Sequence, residues 1–286
     1  MLLLLLLSTA ASGAPPVIGI MAQPLGGAQY IAASYVKFVE MAGGRAVPLS
    51  YFASNDTTLH WLQQLNGVLF PGGGSGIPDA ARVAVQYGLD TPHFPVWGTC
   101  LGFEWLNEAL GATLLDEKAE NVSLPLELTP AANTSYLFRD PQVRDWVREN
   151  VTMNNHNYGV SPENVPKQLT LLSTTTYGDK TFASTVEGGN LFGVQWHPEK
   201  NAYELGETDG GFPYEAINHS PVAIRVTAAF ASSFIDKARA SPQSFRDPKT
   251  RRAALFDNCN ASTALYPEFM QVYFFDESWD GTALPC

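Results

Sequence analysis

Phe94-Pro95-Val96-Trp97-Gly98-Thr99-Cys100-Leu101-Gly102-Phe103-Glu104 runs from an apolar strand through a Gly-x-Cys-x-Gly turn into the helix-prone stretch 103–110. This is the nucleophile-elbow pattern with sulfur in place of oxygen. Two glycines flank the nucleophile because so tight a strand-to-helix turn leaves no room for Cβ atoms. The turn lifts the sulfur off the sheet edge to a helix N-terminus, where the macrodipole and free backbone N–H groups favour a thiolate. An inert cysteine in a core strand is the commoner fate of a lone Cys, but the elbow context argues against it.

Upstream of the elbow, strand and helix signals alternate. Residues 17–21, 46–49, 67–70 and 94–97 read as short apolar strands. Residues 30–41 have helical spacing, 57–65 read as a helix capped by Asp56 or Asn55, and 78–89 suit a third helix. This rhythm predicts an α/β fold with a mostly parallel, mixed sheet flanked by helices. Downstream, 122–128 and 169–175 read as strands, and 180–186 with 191–196 as a hairpin. Helices are expected over 140–149 and 221–238, and an aromatic patch at 270–275 ends a polar tail. With no repeat and no clear linker, one domain is expected. In such folds chemistry gathers at the carboxyl ends of strands, where the glycine-rich turns 72–74 and 98–102 both fall.

A thiolate nucleophile needs a base or ion-pair partner. Of the five histidines, His197 has the strongest context, following an apolar strand in Phe192-Gly193-Val194-Gln195-Trp196-His197-Pro198-Glu199. Glu199, two residues on in a proline-restricted segment, can point the same way and orient the ring. His156, among polar residues in an expected loop, reads equally as a solvated histidine or a substrate contact. His219 looks like a helix lead-in, with Ser220 as cap before Pro221. His60 is expected on the surface of a short helix and His93 in a loop. Acyl transfer also needs an oxyanion site, for which the backbone N–H groups of Leu101 and Gly73 are the natural donors. Pro71-Gly72-Gly73-Gly74 lacks the Gly-Lys-Ser/Thr ending of a phosphate loop. No zinc or calcium spacing is present, so no metal and no cofactor are expected.

Composition bounds the partners. Twenty-eight acidic residues against 17 basic ones give a net charge of −11, which disfavours nucleic acid and anionic membrane surfaces. A small anionic substrate stays open, because a local basic pocket can override the net field. Residues 2–7 are apolar and 8–14 small, with Ala11-Ser12-Gly13 fitting a cleavage site. Residues 1–13 are therefore expected to be a signal peptide and 14–286 the catalytic domain. Sequons at Asn55, Asn121, Asn133, Asn150, Asn218 and Asn260 fit a secreted glycoprotein, although Asn218 lies too near the expected site for glycosylation. An oxidising compartment suggests that Cys259 and Cys286 pair, leaving Cys100 as the odd thiol.

Together these motifs resemble the class I glutamine-amidotransferase-like superfamily and, within it, the γ-glutamyl hydrolases (folate polyglutamate hydrolases). The run 94–104 is close to that family's nucleophile motif, and Val194-Gln195-Trp196-His197-Pro198-Glu199-Lys200 resembles its histidine motif. Ile18-Gly19-Ile20, Leu69-Phe70-Pro71-Gly72-Gly73 and Tyr273-Phe274-Phe275-Asp276 are similar too. The resemblance implies Cys100 as nucleophile, His197 as its partner and Glu199 as third member of the triad. It also implies Glu104 and His156 as substrate-binding candidates. The implied activity is hydrolysis of poly-γ-glutamyl folates by a lysosomal, vacuolar or extracellular thiol hydrolase, with a small-molecule substrate. A glutaminase or amidotransferase making ammonia for a partner remains an alternative, as does an inactive secreted glycoprotein. A synthase subunit would be cytosolic and docked on or fused to its partner, whereas the leader and sequons favour the hydrolase. Lys200 and Arg45 are the candidates for meeting substrate carboxylates. Oligomeric state stays open between monomer and homodimer.

Overall fold

The computed structural model describes residues 14–286, so the leader expected over 1–13 lies outside the described residues. Strand β1 (Val17–Met21) is buried at every position, the pattern of a parallel strand covered on both faces. After it come β2 (Gln23–Leu25), β3 (Ala28–Ala32) and α1 (Ala33–Met41). The alternation continues through β4 (Arg45–Leu49), α2 (Asn55–Leu62), β5 (Gly67–Phe70), α3 (Asp79–Asp90), β6 (Val96–Thr99) and α4 (Leu101–Ala109). Next are β7 (Leu115–Leu124), β8 (Glu127–Leu128), α5 (Pro141–Trp146) and β9 (Thr152–Gly159). Then follow β10 (Thr170–Tyr177), β11 (Lys180–Gly188), β12 (Leu191–Val194), α6 (Lys200–Tyr203) and α7 (Pro221–Ala238). The tail carries α8 (Pro248–Ala254), β13 (Ala261–Ser262) and β14 (Val272–Asp276).

The main sheet has eight strands in the order β4-β1-β5-β6-β12-β11-β10-β8. From β4 to β12 every pairing is parallel, and the last three pairings are antiparallel. This is the mostly parallel mixed sheet the alternation predicts. Helices cover both faces. Phe38 of α1 and Phe230 and Phe234 of α7 pack with Trp97 on one side. On the other, Leu62 of α2, Ala84 of α3 and Phe103 of α4 pack with Phe70. Trp97 lies 5.8, 6.3 and 5.4 Å from the rings of Phe38, Phe230 and Phe234. Each buried aromatic of this kind contributes about 1.5–3 kcal/mol. The strand that leads into Cys100 is thus pinned by the helices beneath it.

Several boundaries differ from the sequence reading. Residues 30–32, expected to open a helix, are instead part of strand β3, because β3 pairs with β2 and with β14 at the far end of the chain, Tyr30 opposite Phe274. The helix expected over 57–65 begins at Asn55, and its cap is Ser54, whose hydroxyl accepts the Thr57 N–H. The elbow strand is displaced by two residues to Val96–Thr99. The strand expected over 122–128 is two strands, β7 pairing with β9 and β8 with β10. By contrast α7 spans 221–238, with Ser220 as cap and Pro221 in the first turn. Cys259 and Cys286 are bonded, and Cys100 is the free cysteine among the described residues.

Candidate active site

Three adjacent strands end on the same edge. β5 runs out into Pro71-Gly72-Gly73, β6 into Cys100, and β12 into Gln195-Trp196-His197. Cys100 sits at φ 52°, ψ −110°, a conformation that costs a non-glycine residue of order 1–3 kcal/mol. Pairing holds it there: its N–H donates to Val194 O at 2.9 Å and its carbonyl accepts the Glu104 N–H at 3.0 Å. The flanking glycines are required by contact. A Cβ on Gly98 would lie 2.3 Å from Gly102 O, and one on Gly102 would lie 2.1 Å from Phe70 O.

His197 is fixed through its backbone, its N–H donating to Met153 O at 2.8 Å. Its Nδ1 lies 2.7 Å from Glu199 Oε1, and the Thr227 hydroxyl holds the intervening Pro198 carbonyl at 2.5 Å. Cys100 lines the same cavity as this imidazole. With Nδ1 committed to Glu199, Nε2 is the nitrogen left for sulfur. Burial alone would push the imidazole pKa down. The negative charges of Cys100 and Glu199 and their hydrogen bonds outweigh it, raising His197 to about 10. The arrangement therefore favours the protonated imidazole at His197.

Tyr35 completes this layer. Its hydroxyl accepts the Gly72 N–H at 2.7 Å and lies 3.4 Å from His197 Nδ1. Burial, then the charges of Glu199 and Cys100, hold the phenol well above its ordinary pKa. The Asn155 carbonyl faces the thiol, with Sγ at 3.8 Å.

The remaining candidates separate into two groups. Gly73, Leu101, Glu104 and His156 share one cavity with Cys100. Leu101 opens α4, so its N–H has no partner within the helix. The Glu104 carboxylate accepts from Gln195 Nε2 at 3.1 Å. Burial pushes it up to about 7, against smaller opposing effects of Gln195 and His197. His156 is not in a loop. It lies on β9 paired with β7, because the polar run 152–158 is one half of a two-stranded sheet. Its Nδ1 bonds the Tyr158 carbonyl at 2.9 Å, Nε2 is buried without a protein partner, and burial lowers its pKa to about 4. Lys200 lines a second cavity with Cys100 and His197. Arg45 does not reach the site. It opens β4 at the opposite end of the strands and pairs with Asp257 and Glu40. His60 and His93 are exposed, as expected.

Sequence reasoning missed Tyr35, Asn155, Gln195 and Glu215, the carboxylate that pairs with Lys200 and accepts from Asn155. Gln195 stands inside the histidine motif, where its position could have marked it. The other three reach the site through tertiary contacts that leave no local signal. Among the described residues, no cluster of His, Cys, Asp and Glu could hold a metal ion.

The class I glutamine amidotransferase family model matches residues 39–208, a span containing Cys100, His197 and Glu199. The fold is shared with the glutaminase domain of Trypanosoma brucei CTPS, at a TM-score of 0.52 and 17% identity over 80% of this chain and 97% of that one. Fold and matched span define a class I glutamine amidotransferase-type protein. Over nearly its whole length the chain is more specifically similar to one group. It is 34% identical to γ-glutamyl hydrolase of Mus musculus and 35% to that of Bos taurus, in each case over 91% of this chain and 90% of the relative. The chain belongs to the γ-glutamyl hydrolase family of enzymes.

Proposed function

We propose that this chain is a thiol hydrolase that cuts the γ-glutamyl bonds of poly-γ-glutamyl folates through a thioester at Cys100. The observation that carries the reading is the buried line from Cys100 through His197 to Glu199, anchored by the 2.7 Å contact at Nδ1. Family membership supports hydrolysis of γ-glutamyl bonds, and the elbow supplies the nucleophile.

Cys100 Sγ attacks the γ-carbonyl carbon. A C–S bond forms and the carbonyl π pair moves to oxygen, which the N–H groups of Gly73 and Leu101 receive. The oxyanion collapses, the C–N bond breaks, and His197 Nε2 gives its proton to the departing amine. His197 then takes a proton from water as the oxygen attacks the thioester. The C–S bond breaks, the thiolate is restored, and the γ-carboxyl product leaves. Glu199 holds the ring and balances the imidazolium throughout. Glu104 and His156 bind the substrate on the Leu101 side, both uncharged in a mildly acid medium.

The expected leader and the exposed sequon residues Asn55, Asn121, Asn133, Asn150 and Asn260 support passage through the secretory pathway to a lysosome, a vacuole or the exterior. The test is Cys100→Ala. Hydrolysis of a poly-γ-glutamyl folate falls by at least about 10³-fold, with an unchanged circular dichroism spectrum. Retained turnover removes Cys100 from the chemistry.

A further inference from the structure

Two cavities meet at Cys100, and they differ in which part of the machinery they contain. One holds Leu101 and Glu104; the other holds His197, Tyr35 and Lys200. On the proposed hydrolase reading, the oxyanion is received at Gly73, which borders both cavities, and at Leu101, which lines only the first, and the departing amine takes its proton from His197. The acyl group therefore sits on the Leu101 side, and the leaving group departs through the His197 side.

Lys200 is the only lysine or arginine lining either cavity among the described residues. It is 5% exposed, and its Nζ lies 2.5 Å from both carboxylate oxygens of Glu215, itself 8% exposed. Glu215 Oε1 also accepts from Asn155 Nδ2 at 2.8 Å. The partner carboxylate is thus fixed from two sides, by the residue that follows the His-Pro-Glu motif and by the one whose carbonyl faces the thiol. Neutralisation by Glu215 is what makes a buried ammonium tolerable beside the nucleophile. An ammonium has three donors, so a pair with one carboxylate leaves donor capacity for a ligand anion in the cavity. The acyl side offers no such cation and instead carries Glu104 and Glu108.

We infer that Lys200, held by Glu215, is a specificity-determining residue that grips a carboxylate of the leaving glutamate, so that the enzyme selects an anionic amino-acid leaving group. Glu215 tempers the grip by sharing the ammonium.

The test compares two substrates with the same acyl part, a folyl di-γ-glutamate and the corresponding folyl γ-glutamyl anilide, whose leaving group has no carboxylate. The readout is the ratio of their kcat/KM values. In Lys200→Met combined with Glu215→Gln, which leaves no lone buried charge, the ratio of diglutamate to anilide falls by roughly 10- to 100-fold. In Glu215→Gln alone, where the ammonium is no longer shared with an anion, the ratio rises. A purely structural pair would change both substrates alike. An unmoved ratio in either variant, with the protein folded by circular dichroism, overturns the inference and leaves the hydrolase reading standing. Failure of the wild-type enzyme to turn over either substrate overturns the hydrolase reading, and the inference with it.

Discussion

Cys100 carries a backbone conformation that its own side chain disfavours, and the residues around it explain why that strain is held. Its N–H and C=O are both bonded, and His197 with Glu199 supplies the opposite charge behind it. This part of the site was legible in the sequence because glycine at 98 and 102 and proline at 198 write backbone geometry directly into residue type. Tyr35 was not legible, since what matters about it is the Gly72 N–H it meets from another strand end. Tyr35→Phe removes that acceptor and frees the glycine turn. A loss of roughly 10-fold in kcat is expected, with little change in KM, checked by steady-state kinetics. Glu104 gives a pH signature. Burial raises it from 4.5 to about 7 in the folded chain, so the folded form binds the extra proton between those values. Its contribution to stability is complete below pH 4.5 and is lost as pH rises through 7. Glu104→Gln cannot titrate. The stability of the wild type relative to this variant should therefore decline by roughly 3 kcal/mol between about pH 4.5 and 7.5, read from urea midpoints. A constant difference would contradict the assignment.

At the level of elements, the strand-to-helix turns position the chemistry. At the elbow, Gly102 lies against the Phe70 carbonyl, which brings the start of α4 onto the end of β5. Gly102→Ala should force these elements apart, lowering stability by about 1–3 kcal/mol and activity more than stability, measured by thermal melts beside kinetics. Helix caps act at the same scale. Ser54→Ala removes the acceptor for the Thr57 N–H and should cost about 1 kcal/mol without touching turnover. Element types along the parallel half were readable from their buried, continuous apolar runs. Residues 30–32 were misread because Tyr30 and Ile31 fit a helical spacing while their true partners, Phe274 and Tyr273, lie at the far end of the chain. The strand character of 152–158 was hidden for a similar reason: its polar side chains pair with β7 and face the site, so no apolar alternation marks it.

For the whole molecule, the C-terminal tail ties distant parts together. β14 adds to β3, the Trp279 carbonyl accepts from Gln29 and Ser50, and the Cys259–Cys286 bond closes the tail across a sequence separation of 27. Replacing both cysteines by serine should lower stability by roughly 2–4 kcal/mol, seen as a shifted urea midpoint, while the remaining thiol still reacts at Cys100. The parallel half of the eight-stranded sheet, and with it the gathering of its strand ends around Gly73 and Cys100, was legible from strand alternation and the carboxyl-end rule, whereas the strand order that sets β12 and His197 beside them was not. The two side sheets and the buried Lys200–Glu215 pair depend on long-range pairings that composition and periodicity do not encode. The central claim, covalent catalysis by Cys100, is tested most directly by acid-quenching the enzyme during turnover of a poly-γ-glutamyl folate and mapping the peptides by mass spectrometry. The account predicts a γ-glutamyl acyl adduct on the peptide that contains Cys100. An adduct confined to any other residue would contradict it.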